Sequence, residues 1–93
     1  MDITFDPAKN ERNIRERGSS FERAADFDFE TAVRFEDSRR DYGETRFVAV
    51  GYLDERLHVL CFTVTDAGIR VISFRRANAR EARQYAESKA IDR

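Results

Sequence analysis

Cysteine, histidine and glycine are scarce in this chain of 93 residues, and each scarcity closes off a class of function. Cys61 is the only cysteine, which excludes internal disulfides and cysteine-rich zinc sites and leaves burial and hydrogen bonding to hold the fold. His58 is the only histidine, and the acids Asp37, Asp41 and Glu44 have no ligand spacing, so no metal site is expected. The four glycines fall at apparent turns and at one strand position, Gly51. No Gly-rich phosphate loop, dinucleotide fingerprint or nucleophile elbow is left, and no cofactor is expected. No stretch nears the ~18 apolar residues of a membrane-spanning helix. The opening residues Met1–Asp6 lack the basic start and apolar run of a secretory signal, so the chain reads as cytoplasmic, with no membrane partner.

What remains suits one small folded domain over residues 1–93, with 41% hydrophobic and 38% charged residues. The net charge of −1 rules out a uniformly basic nucleic-acid-binding surface, but the charge is unevenly placed. Residues 26–45 carry seven acids against three arginines, whereas 69–93 carry seven bases against three acids. The first stretch repels phosphate and the second attracts it. Arginine outnumbers lysine 15 to 2, and its planar fork of donors suits bidentate contacts with phosphate or carboxylate.

Asp2–Phe5 reads as a short strand, and Asp6–Pro7 as an N-cap and first helical residue leading into a very polar helix that stops at Gly18. Ser19 or Ser20 caps a second helix carrying Phe21, Ala24, Ala25 and Phe27, the better core element of the two. From Thr31 the period drops toward two, with Ala32, Val33 and Phe35 in a strand, then a polar loop over Glu36–Glu44. Thr45–Leu53 and Leu57–Thr65 are β-branched and aromatic and form a hairpin about Asp54, Glu55 and Arg56. Ala67–Gly68 turn the chain into Ile69–Arg75. Asn78 caps a last helix reaching about Lys89, with Ala82, Tyr85 and Ala86 inward. The expected fold is α+β: a curved antiparallel sheet of four to five strands, with two N-terminal helices and one C-terminal helix on one face.

Alternation in the last strand puts Ile69, Val71, Ser73 and Arg75 on one side and Arg70, Ile72, Phe74 and Arg76 on the other. Arg75, Arg76, Arg80 and Arg83 are placed to converge on an anion at the N-terminus of the last helix, where N–H groups and the macrodipole add attraction. A solvated, salt-bridged helix face is the structural alternative. His58 and Tyr85 have ordinary structural readings too, Glu81 fits a capping box, and Cys61 reads as a small buried hydrophobe.

Three segments, FDPAKNERNIRERGSSFERAADF, GETRFVAVGYL and IRVISFRRANAREARQYAE, resemble the BrnT family of toxins from bacterial type II toxin–antitoxin pairs. The resemblance rests on Asp6, Pro7, Lys9, Asn13, Gly18, Phe21, Gly43, Glu44, Arg46, Arg70, Ile72, Ser73, Arg75, Arg80, Glu81 and Tyr85. It implies a RelE-like fold, a ribonuclease that arrests translation, and a BrnA-type antitoxin that also binds the operon's DNA, so that DNA is met only indirectly. The chain departs from the family at Phe5, usually Trp, at Glu16–Arg17, usually Lys-His, and at Phe74, usually Ala.

RNA is cut without metal when its own 2′-hydroxyl attacks the adjacent phosphorus, which requires charge stabilisation on the phosphate and proton transfer at two oxygens. Arg46, Arg70, Arg75, Arg76 and Arg80 are the candidates for the first requirement, and Glu81, Tyr85 and His58 for the second, with Arg83 as a further RNA contact. The rival reading is a non-catalytic interaction module, or a decayed toxin that only binds its antitoxin. A plain DNA-binding domain lacks a helix-turn-helix or ribbon-helix-helix pattern.

Overall fold

A computed structural model describes residues 1–91; Asp92 and Arg93, counted in the basic C-terminal stretch, lie outside the described residues. The elements run β1 (Asp2–Phe5), α1 (Pro7–Arg17), a 3₁₀ helix (Phe21–Asp26), β2 (Val33–Glu36), β3 (Phe47–Leu53), β4 (Arg56–Val64), β5 (Gly68–Arg76) and α2 (Ala79–Ile91). The sheet order is β1-β5-β4-β3-β2. Strands β2 to β5 form the expected antiparallel meander, but β1 lies parallel to β5, so the sheet is mixed. Gly68 permits that pairing, since a Cβ there would overlap the Asp2 backbone. It is therefore the first residue of β5 rather than part of the preceding turn.

The second helix is a 3₁₀ segment capped by Ser20, whose side chain accepts the Glu22 N–H. It still supplies Phe21, Ala24 and Phe27 to the core, where they meet Ala49, Leu60, Phe62, Val71 and Phe74. Helix α1 begins as its sequence indicates, with the Asp6 side chain accepting from the Ala8 N–H, and ends at Gly18 in the left-handed region. The β3–β4 connection is tighter than expected: Leu53 pairs with Arg56, leaving Asp54 and Glu55 as a two-residue turn with φ of 51° and 67°. Positive φ at both central residues matches the twist of a right-handed hairpin.

The helices do not share one face. The 3₁₀ segment covers the core side and α1 packs along the part of the β5 edge that β1 leaves open, whereas α2 reaches the other side through Arg75–Glu81 and an edge-on contact between Tyr52 and Tyr85. Helix α2 buries no residue; its partly covered stripe is Glu81, Tyr85, Ser88 and Lys89, and Ala82 and Ala86 are exposed. Among the described residues, no helix is long and apolar enough to cross a membrane.

In β5, Cys61 pairs with Ser73 but the next residue, Phe62, pairs with Val71, so Ile72 is an extra, bulged residue. A bulge reverses the alternation beyond it. Ile69, Val71, Phe74 and Arg76 thus share the core side, and Arg70, Ser73 and Arg75 the opposite side, a correction to simple period-two counting. The reversal buries Phe74 completely.

Candidate functional site

Arg75 and Arg76, neighbours in a strand, point to opposite faces, and the bulge puts Arg76 on the core side, so the single anion pocket expected from Arg75, Arg76, Arg80 and Arg83 is not formed. Arg75 meets Glu81 in a two-point ion pair, Nη1 to Oε1 and Nη2 to Oε2, each 2.8 Å. Its Nη1 also donates to the Arg76 carbonyl. Glu81 accepts the Asn78 N–H and Asn78 Oδ1 accepts the Glu81 N–H, a reciprocal cap for α2. Arg75, with help from that N–H, holds the Glu81 carboxyl at about 2 against the cost of burial. Glu81 is therefore ionised at neutral pH and occupied.

A guanidinium has five N–H donors. Arg75 spends both of Nη1 and one of Nη2 on protein acceptors. Nε–H and the second Nη2–H, side by side on one edge, have no acceptor among the described residues. A phosphate needs such an edge, two parallel donors from one planar group. Glu81 thus fixes Arg75 without saturating it.

Arg75 borders two cavities. One, of about 340 Å³, has Val48, Val59, Cys61 and Ser73 as its apolar and weakly polar floor, with Asp37, Arg39 and Glu81 around it. Asp37 is buried and accepts from Arg39 and Tyr42, so Arg39 holds its carboxyl far below the usual range. The polar loop is organised about this aspartate. Burial pushes the Cys61 thiol up, with Asp37 adding to the effect, so the thiol stays protonated. Beyond the cavity, Glu44 accepts from Arg46 and Arg70, and the Arg46 guanidinium lies 4.1 Å from the Tyr42 ring centroid.

The second cavity, about 380 Å³, lies between α1 and β5 and is lined by Lys9, Arg12, Asn13, Glu16, Arg17, Ile72, Ser73 and Arg75. Strand β1 covers β5 only from Gly68 to Val71, which leaves the rest of that edge to α1. Asn13 ties the two together, its amide donating to the Phe74 carbonyl at 2.6 Å and the Ser19 carbonyl at 2.8 Å. Four cations face one carboxylate here, and Lys9, Arg12 and Arg17 form no ion pair with any described residue.

On the core side, Arg76 and His58 border a third cavity of about 440 Å³ with Arg17, Arg23, Leu53, Asp54 and Arg56. His58 is buried, packs against Phe74, and its Nδ1 lies 2.8 Å from the Arg56 carbonyl. That carbonyl can only accept, so Nδ1 carries the proton and Nε2 the lone pair of the neutral ring. Arg80 and Arg83 stand exposed on α2. Tyr85 donates to the Thr31 carbonyl and so fastens α2 to the segment before β2, away from Arg75; burial raises its phenol pKa.

The sequence alone assigns no site role to Lys9, Arg12, Arg17 or Arg56. Lys9 and Arg12 stand one turn apart on α1 and Arg17 closes the helix, but nothing local says which strand they meet.

Among the described residues, no three His, Cys, Asp or Glu side chains lie close enough together to hold a metal ion. A family model described as "Ribonuclease toxin, BrnT, of type II toxin-antitoxin system" matches residues 5–81. No curated protein matches the chain significantly.

Proposed function

From a chain that belongs to the BrnT family of ribonuclease toxins of type II toxin–antitoxin systems, we propose an endoribonuclease whose scissile phosphate sits on the free edge of Arg75. One observation carries the reading: Arg75 is held rigid by Glu81 and still has two parallel donors to give, at the rim of a cavity edged by Lys9, Arg12 and Arg17. A pre-oriented cation is worth most to catalysis where charge builds up in the transition state, because no reorganisation is needed at that moment.

The reaction assigned to this site is metal-independent transesterification. The substrate's 2′-oxygen forms a bond to phosphorus and the bond to the 5′-oxygen breaks. One proton leaves the 2′-hydroxyl and one arrives at the 5′-oxygen, giving a 2′,3′-cyclic phosphate and a 5′-hydroxyl. Arg75 carries the growing negative charge on the non-bridging oxygens, and the α1 cations hold the flanking strand. Glu81 is in this reading a positioning residue. Arg46 and Arg70 lie further along the same face, within reach of the substrate only if Glu44 releases them. The partner is taken to be a BrnA-type antitoxin that meets DNA on the pair's behalf, and the sheet to be of RelE-like descent.

The test is cleavage of a defined RNA by protein freed of antitoxin, with chelator present. Arg75→Ala is expected to lower the rate by about 10²-fold or more, as loss of one oxyanion-type donor does. Products should end in cyclic phosphate. Equal cleavage of a 2′-deoxy substrate, or an Arg75→Ala rate equal to wild type, would sink the proposal. Paired guanidiniums also suit a protein-docking face, and such a module would leave RNA intact in this assay.

A further inference from the structure

The cavity on the core side has no part in the reaction assigned to Arg75, yet it collects cations that the fold leaves uncompensated. Arg17, Arg23, Arg56 and Arg76 line it, and the only carboxylate in its lining is Asp54. Asp54 is already engaged, accepting from Arg23 Nη2 at 2.7 Å, and Arg23 is further paired with Asp26. Arg17, Arg56 and Arg76 form no ion pair with any described residue.

Three separate elements bring them there. Arg17 is the last residue of α1 before the left-handed Gly18, Arg56 opens β4 after the two-residue turn, and Arg76 ends β5 on the side chosen by the Ile72 bulge. Beneath them, buried Leu53 and His58 make a firm floor, and the His58 Nδ1–H holds the Arg56 carbonyl. Like charges converging on one hollow repel one another, a cost that a bound anion removes. Guanidinium forks from three directions match an anion with several oxygens better than a single carboxylate.

We infer that this cavity is a second phosphate subsite, which takes an internucleotide phosphate of the same single strand whose scissile phosphate lies at Arg75. The inference rests on the reading of Arg75 above. Continuity favours a strand over a free ion: Arg17 borders both this cavity and the one beside Arg75, so a backbone leaving Arg75 passes the end of α1 and enters the second hollow without crossing an acidic surface. The enzyme thereby measures substrate length, holding longer RNAs at two points on opposite faces of the sheet.

The experiment is a binding series with 2′-O-methyl oligonucleotides of two to eight nucleotides, which lack the attacking hydroxyl and stay intact. Affinity is expected to step up at the length that spans from Arg75 to the second cavity. Arg56→Ala with Arg76→Ala should remove about tenfold or more of that step and flatten the salt dependence by about 0.7 in logarithmic slope for each phosphate no longer neutralised. Arg56→Glu alone, at an exposed position, should act in the same direction. A step that survives these changes overturns the proposal, and so does the absence of any step. Inorganic phosphate competing as strongly as a long oligonucleotide would make this a free-anion site, and a polyglutamate peptide of equal charge binding as tightly would make it a protein-docking site; either result refutes an RNA subsite. Because the probes are uncleavable, failure of the Arg75 chemistry shows only in the cleavage assay, and failure of the subsite only here.

Discussion

Asn13 contributes more to the docking of α1 than any apolar side chain of that helix. The helix buries no residue, and its one large aliphatic, Ile14, is 44% exposed. In place of a greasy stripe, α1 turns two asparagines inward: Asn10 Oδ1 accepts the Phe21 N–H, and Asn13 donates to the carbonyls of Ser19 and Phe74. An unpaired, partly buried carbonyl costs more than a made hydrogen bond gains. Asn13→Ala is therefore expected to lower stability by about 2 kcal/mol in urea unfolding. Asn13→Asp should be worse, because an acceptor would then face two acceptors; equal midpoints for wild type and Asn13→Asp would refute this account. The polar inner face also has a functional consequence, since Lys9, Arg12 and Arg17 stay charged around Asn13 beside β5.

The join between β5 and α2 is set by one carboxylate with two duties, the cap on Asn78 and the clamp on Arg75. Its pKa in the folded protein, about 2, lies below the ordinary glutamate value of 4.5. A depressed folded-state pKa means that the unfolded chain binds the proton more readily, so the stabilisation is complete above about 4.5 and drains away as pH falls toward 2. Comparison of wild type with Glu81→Gln should show an advantage of about 1 kcal/mol for wild type near neutrality, reduced by solvent screening, that shrinks through this acid window. Parallel stability curves from neutrality to acid would contradict it. Helix α2 has little else to hold it, chiefly Tyr85 with its bond to Thr31 and its contact with Tyr52, so the pair fixes both the helix and the direction of the Arg75 fork.

Taken whole, the molecule carries a net charge of −1, so its attraction for RNA is local: cations along α1 and the end of β5, with the acidic loop before β3 confined to the other cavity that Arg75 borders. Replacing both Lys9 and Arg12 by alanine is expected to weaken RNA binding at every sequence and to reduce the salt slope by about 1.4, since each single-strand phosphate contact contributes about 0.7. An unchanged slope would move the RNA path off α1. Much of this architecture is legible in the order of residues alone. The Asp6–Pro7 start, the Gly18 stop, the Asn78–Glu81 cap and the β-branched runs on either side of Asp54–Glu55 are settled by side chains within a few positions of one another, where short-range sterics and hydrogen bonding act. The parallel seat of β1, the bulge at Ile72, the face that each of Arg75 and Arg76 takes and the meeting of Arg17 with both belong to another class. Which way a strand residue points depends on its register against a neighbour far away in the chain, and one extra residue in that ladder reverses everything after it. The chemistry-bearing residue types can thus be named from the chain itself, while their grouping into sites arises when distant segments pair and pack.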